Sequence, residues 1–143
     1  MPVDASRLGP FPRSQRVRKR PEFQDIQTTG QRVTTRHFVL LLKAQSTPPG
    51  PPRLGITVSR KVGSAVVRNR AKRLVRAAFR ATQPLWEPGI DLVVIVRSPL
   101  EGMKHPDVVR EWQGAASHIR RRMEAARRDA QAETVGPVPR RTT

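Results

Sequence analysis

The stretch Arg53–Arg80, RLGITVSRKVGSAVVRNRAKRLVRAAFR, carries the reading of the whole chain. Leu54, Ile56 and Val58 alternate with Gly55, Thr57 and Ser59, the two-residue period of a strand with one buried face. Ser59 to Gly63 has turn chemistry, and Gly63 is free to take a positive φ. Ser64 stands where an N-cap belongs, and no Gly or Pro follows until Arg80, so the spacing predicts a helix. On a wheel of about 100° per residue, Val67, Ala71, Leu74 and Ala78 form an apolar stripe. Arg68, Asn69, Lys72, Arg73, Arg76 and Arg80 fall opposite, with Arg70 at the border.

No acidic residue interrupts this stretch. Along the ladder Arg68-Lys72-Arg76-Arg80 each like-charge (i, i+4) pair costs a few tenths of a kcal/mol, roughly 0.2–0.5. A merely solvated helix face is the bland alternative, but such faces interleave both signs. Unrelieved like charge points to a polyanion that neutralises it, and RNA is the polyanion favoured here.

The run Gly55–Arg80 resembles the signature of the protein component of bacterial ribonuclease P. The features that carry the likeness are the strand Gly55–Val58, the turn Arg60-Lys61-Val62-Gly63, the helix start Arg68-Asn69-Arg70 and the pair Lys72-Arg73. The likeness is gap-free there and extends more loosely over residues 16–125. It implies a small α/β (α+β) domain, a mixed sheet with packed helices, containing a left-handed βαβ crossover. Pattern alone would have predicted the right-handed form. It also implies an activity. An RNA subunit hydrolyses a phosphodiester with bound Mg²⁺ and removes the 5′ leader of precursor tRNA, while the protein raises affinity by screening phosphate repulsion. On that resemblance Arg60, Lys61, Arg68, Asn69, Arg70, Lys72, Arg73 and Arg76 would contact ribonuclease P RNA. Phe23, Arg36 and Phe38 would line a cleft for the single-stranded leader, by stacking and phosphate contacts. No catalytic residue and no metal ligand of this chain is implied, and Mg²⁺ would be held mainly by the RNA.

Composition sets the outer bounds. The 143 residues suit one domain with one modest core. A net charge of +17 calls for a polyanionic partner. There is no cysteine, hence no disulfide framework and no thiolate metal site. The apolar runs Phe38–Leu42 and Ile90–Val96 are too short to span a bilayer, and no apolar segment follows the N-terminal arginines. A cytoplasmic protein with no membrane partner and no small-molecule substrate is expected.

Residues 1–15 mix Pro, Ser, Arg and Gly without periodicity and read as a disordered arm. A mitochondrial presequence is the alternative, but Pro2, Pro10 and Pro12 would break its amphipathic helix. Residues 16–130 form the expected domain. A helix is expected within Arg16–Gly30, with Pro21 in its first turn, Gly30 at its stop, and Phe23, Ile26 and Gln27 on one face. Arg16, Arg18, Lys19 and Arg20 make a second basic cluster. Val33–Lys43 reads as one central strand, apolar on both faces near its end. Arg36 and Phe38 match the Arg-x-Phe of the resembled family, but the aromatics expected near Gln27 and Leu41 are missing. Ser46–Pro52, STPPGPP, is a turn expected to join that strand to the Arg53 strand as a hairpin. Ile90–Val96 is a buried strand with Asp91, its only charge, at the exposed entry. His105–Ala130 reads as one long helix with the stripe Val108, Val109, Trp112, Ala116, Ile119 and Met123. Residues 131–143 read as a disordered tail.

His37, His105 and His118 show no pairing, and the 11 acidic residues are scattered singly, so a protein-borne nuclease site is not expected. A ribosomal or other structural RNA-binding protein is the alternative function. DNA binding through Arg68–Arg80 ranks below it, because a strand precedes that helix where a helix-turn-helix needs a helix.

Overall fold

The computed structural model describes residues 20–45 and 50–135. The N-terminal arm and Arg16, Arg18 and Lys19 of the second basic cluster lie outside the described residues. The elements run α1 (Arg20–Thr29), β1 (Gln31–Thr34), β2 (Phe38–Ala44), β3 (Arg53–Val58), α2 (Ala65–Ala81), β4 (Ile90–Val96), α3 (His105–Gly114) and α4 (Ala116–Val135), with short 3₁₀ turns at Arg60–Val62 and Gln83–Leu85. The four strands form one mixed sheet in the order β1-β2-β4-β3.

Two expectations about strand pairing fail. The Val33–Lys43 segment is two strands, paired antiparallel across a turn at residues 35–37. Thr35 N–H donates to the Phe38 carbonyl at 2.8 Å and closes that turn. β2 and β3 are not a hairpin. β4 lies between them, antiparallel to β2 and parallel to β3. The physical reason is burial. The run Ile90–Val96 is apolar on both faces and gains most in the centre of the sheet, flanked by β2 and β3.

One face of the sheet carries the main core. Val33, Phe38, Leu40, Leu42, Leu54, Leu92, Val94 and Val96 pack there with Val75 and Phe79 of α2, Trp112 of α3, and Ile119 and Met123 of α4. Aromatic rings run through it. Phe38 meets Trp112 edge-on at 5.8 Å, Trp112 meets Trp86 at 5.6 Å, and Trp86 stacks on Phe79 at 6.1 Å. Trp86 Nε1–H finds Thr82 Oγ1 at 2.9 Å. The long C-terminal helix is broken at Ala115 into α3, which packs on α2, and α4, which packs on β1 and β2. α4 continues through Val135, past the expected end at Ala130.

The opposite face is covered only in part, by α1. Ile26 of α1 seals Leu41 and Val93, and Gly30 ends the helix with its N–H on the Ile26 carbonyl at 2.8 Å. A Cβ at Gly30 would stand 2.5 Å from that carbonyl oxygen, so the chain leaves α1 too closely for any other residue. Asp91 is not exposed as expected. It is 6 % accessible and holds Arg53 through two contacts, Nε at 2.8 Å and Nη2 at 2.7 Å. Arg53 also reaches Glu22 of α1 at 3.2 Å, and Gln45 Nε2 donates to Asp91 at 3.0 Å. These contacts tie β3, β4, α1 and the end of β2 together. The hydrogen bond to Asp91 holds the Arg53 guanidinium still more firmly in its charged form, over the opposing effect of burial. Arg53→Met is expected to strand the Asp91 carboxylate and lower stability by about 3 kcal/mol, read as a denaturant midpoint.

Candidate RNA interface

Helix α2 is built as expected at its start. Ser64 Oγ accepts the Val67 N–H at 3.3 Å, and Gly63 takes φ 155° with ψ −165°. A Cβ at Gly63 would lie 2.9 Å from Val67 Cγ1, so both backbone conformation and space demand glycine. Ala71, Val75, Ala78 and Phe79 are buried, and Val67 and Leu74 pack beside them.

The polar side chains of this segment divide into three groups. Arg60, Lys61, Asn69 and Arg73 are exposed, and Lys72 is half-buried. None of the cations Arg60, Lys61, Lys72 and Arg73 enters an ion pair with a described residue. Arg76 and Arg80 are half-buried and engaged within the chain. Arg68 of the expected ladder and Arg70 at the border of the polar face do not lie fully open. Arg68 is half-buried, with Nε shielded from solvent and without a partner among the described residues. Arg70 turns away from the outer face. Its Nη1 donates to the Leu100 carbonyl at 2.8 Å, and Nη2 donates to the Met103 carbonyl. Arg70 therefore clamps the loop between β4 and α3 against α2 through one N–H of each terminal nitrogen.

A second feature lies on the α1 side of the sheet. Register places Thr34, Val39, Ile95 and Thr57 in one cross-strand row, next to the row sealed by Ile26. Val39, Ile95 and Phe23 are only partly buried, so a shallow apolar strip remains beside α1. Phe23 lines it, and Gln27 is exposed. Phe38 does not line it. The side chain is fully buried on the opposite face, between the sheet and Trp112, so it cannot stack on a base without opening the core. Alternation along β2 is the cause: Val39 and Leu41 face α1, and Phe38, Leu40 and Leu42 face the core.

Arg36 is exposed in the 35–37 turn. Glu111 of α3 fastens that turn. It accepts Thr35 Oγ1–H at 2.6 Å, the His37 N–H at 2.8 Å and His37 Nδ1 at 2.7 Å. Burial pushes the Glu111 carboxyl up, but the Thr35 and His37 hydrogen bonds outweigh it and hold it below the usual carboxylate value. A depressed carboxyl stabilises the fold above its unfolded value and loses that contribution as pH falls through the folded one. The native protein is thus expected to lose more thermal stability on acidification than Glu111→Gln, by comparing melting midpoints at neutral and acidic pH. Sequence reasoning missed Glu111, because its partners lie on a turn that was read as strand.

Four acidic side chains are engaged in internal contacts: Asp91 with Arg53, Glu111 with the turn, Glu87 with Arg127, and Asp107 with the Lys104 N–H and Arg110. Among the described residues no three His, Cys, Asp or Glu converge as metal ligands. Among the described residues no helix is long and apolar enough to cross a membrane.

Fold and surface together define a small α+β protein that offers a cationic helix and a partly bare sheet to a polyanion. A family model described as Ribonuclease P matches residues 11–120, and the chain belongs to that family. The ribonuclease P protein component of Syntrophus aciditrophicus is 39% identical over 99 residues, covering 69% of this chain and 82% of its own. That of Geobacillus kaustophilus is 39% identical over 93 residues, covering 65% and 76%. The ribonuclease P protein of Thermotoga maritima superposes with a TM-score of 0.63 at 33% identity, over 72% of this chain and 96% of that one. That of Staphylococcus aureus gives 0.61 at 32% identity, over 70% and 90%. The chain is thus a bacterial ribonuclease P protein component, which works with an RNA subunit.

Proposed function

We propose that this protein binds the catalytic RNA through the outer side of α2 and the Arg60-Lys61 turn, and the 5′ leader of precursor tRNA along the strip beside α1. The observation that carries the first half is the set Arg60, Lys61, Lys72 and Arg73, cations without ion-pair partners among the described residues, on a segment without acidic residues. Asn69 adds a neutral donor and acceptor on the same outer side. Guanidinium forks and ammonium groups at this surface neutralise phosphates and release counterions. Arg70 supports the surface from behind and is not itself one of its phosphate contacts.

The strip suits a segment of variable sequence. Phe23, Val39 and Ile95 offer an apolar surface that any base can cover, and Arg36 offers charge for its phosphates. Hydrolysis belongs to the RNA in this reading, with Mg²⁺ held there. The protein acts in the cytoplasm and lowers the metal concentration the RNA needs by supplying positive charge where two RNAs meet. The test is cleavage of a precursor tRNA by a bacterial ribonuclease P RNA at low Mg²⁺, with and without this protein. Correct 5′ cleavage only when both are present is expected. Tight RNA binding without rescue would return the protein to the class of structural RNA-binding proteins.

A further inference from the structure

The chain leaves β4 at Val96 and enters α3 at His105 through a turn at Gly102, which takes φ 72°. Leu100 is buried in the core and Met103 packs at its edge, while Glu101 and Gly102 between them are exposed. Arg70 pins both flanks of this tip, through the Leu100 and Met103 carbonyls. The tip is therefore fixed against the first turns of α2. A pocket of about 380 Å³ remains between them, lined by Val67, Arg70, Leu100, Glu101 and Gly102. Ordinary small-molecule sites span roughly 300–1,000 Å³, so the space admits a planar ring.

Two features here do not suit a surface made for phosphates alone. Val66 is 75 % exposed and shares one helical stripe with Arg70 and Arg73, at i, i+4 and i+7. Glu101 places a carboxylate beside the cationic segment, and it enters no ion pair with a described residue. Phosphodiesters offer no donors, so a bare carboxylate at a polyanion interface opposes binding unless a base donates to it. Arg70, in turn, keeps a second N–H on each terminal nitrogen beyond the loop contacts. The pocket thus combines apolar walls, a group that only accepts and a group that only donates. Guanine is the base whose Watson–Crick edge answers all three, with the O6 acceptor beside the N1–H and N2–H donors.

We propose that this pocket receives an unpaired guanine of the RNA subunit. Glu101 accepts its N1–H and N2–H, Arg70 donates to O6, and Val67 and Leu100 lie against the ring. The proposal rests on the α2 reading above and deepens it. Phosphate contacts from Arg60, Lys61, Lys72 and Arg73 hold the RNA, and the base in the pocket fixes its register. Arg70 links the two tasks, since the clamp that shapes the pocket also supplies its donor.

The experiment measures binding of the full chain, native and Glu101→Gln, to a bacterial ribonuclease P RNA across a salt series. Charge alone predicts that removing an anion tightens binding. A carboxylate that accepts from a base predicts the reverse, a loss of about tenfold, because Gln offers one acceptor oxygen to two donors. The salt slope should stay unchanged, since no phosphate contact is lost. Kethoxal, which modifies N1 and N2 of unpaired guanines, should spare one guanine of the RNA in the native complex and modify it in the Glu101→Gln complex. Inosine at that position, lacking the N2 amino group, should weaken binding of the native protein and add little in Glu101→Gln. Glu101 is exposed, so the melting midpoint of the variant should match the native one. Binding by Glu101→Gln as tight as native or tighter, or no guanine newly open to kethoxal, would overturn the proposal. The α2 reading would still stand if Gln at Arg60, Lys61, Lys72 and Arg73 together lowered affinity. Retained affinity in that variant would overturn the α2 reading itself.

Discussion

A Phe38→Ala protein is expected to be about 3–5 kcal/mol less stable than the native chain, enough to threaten folding altogether. The side chain is fully buried, its ring meets Trp112, and that ring continues the aromatic packing to Trp86 and Phe79. Removing it opens a cavity where β2, β4 and α3 converge. Denaturant unfolding should show the loss directly as a lowered midpoint. Any weakening of RNA binding should affect leader-bearing and mature tRNA alike, because it would reflect a smaller folded fraction. Phe23→Ala is the contrasting case. Phe23 is only partly buried beside Val39 and Ile95, so its replacement should cost little stability and act on the leader alone. A stable Phe38→Ala protein that discriminated against leaders would contradict the burial seen here.

Neutralising Arg60, Lys61, Lys72 and Arg73 together, each to Gln, should weaken binding to the RNA subunit by roughly a thousandfold at moderate salt, taking about 1 kcal/mol per contact. The slope of log affinity against log salt should flatten by about 3, since each phosphate contact contributes about 0.7–0.9. The fold should survive, because none of the four is ion-paired to a described residue and their mutual repulsion is relieved. Retained affinity with an unchanged slope would place the RNA elsewhere on the protein. Arg70 must be kept out of this set. Its replacement would free the Leu100–Met103 loop and mix a folding defect with a binding one.

The local elements were legible wherever one period dominates. The β3 alternation, the Ser64 cap, the Gly63 turn and the apolar stripe of α2 are written in short-range spacing, and the structure shows each. The gaps arose where two segments share one pattern. Val33–Lys43 is apolar enough to pass for one strand, and only the grip of Glu111, far along the chain, shows where it turns. His105–Ala130 keeps one helical stripe, yet its two halves pack on different partners and break at Ala115. Arg68 stood in the basic ladder and Arg70 at its border, but the wheel does not tell which polar positions a neighbouring loop will claim.

The sequence by itself determined that this chain is a basic RNA-binding α+β domain, that Arg60 to Arg80 is its cationic segment, and that the Ile90 strand is buried, because charge, period and turn chemistry act over a few neighbouring residues. Only the tertiary structure decided that β4 divides β2 from β3, that Phe38 belongs to the core, that Asp91 holds Arg53, and that Arg70 grips the loop between β4 and α3. Those outcomes depend on which face of a strand is covered and which distant residue arrives to pair, and both are settled by the packing of the whole chain.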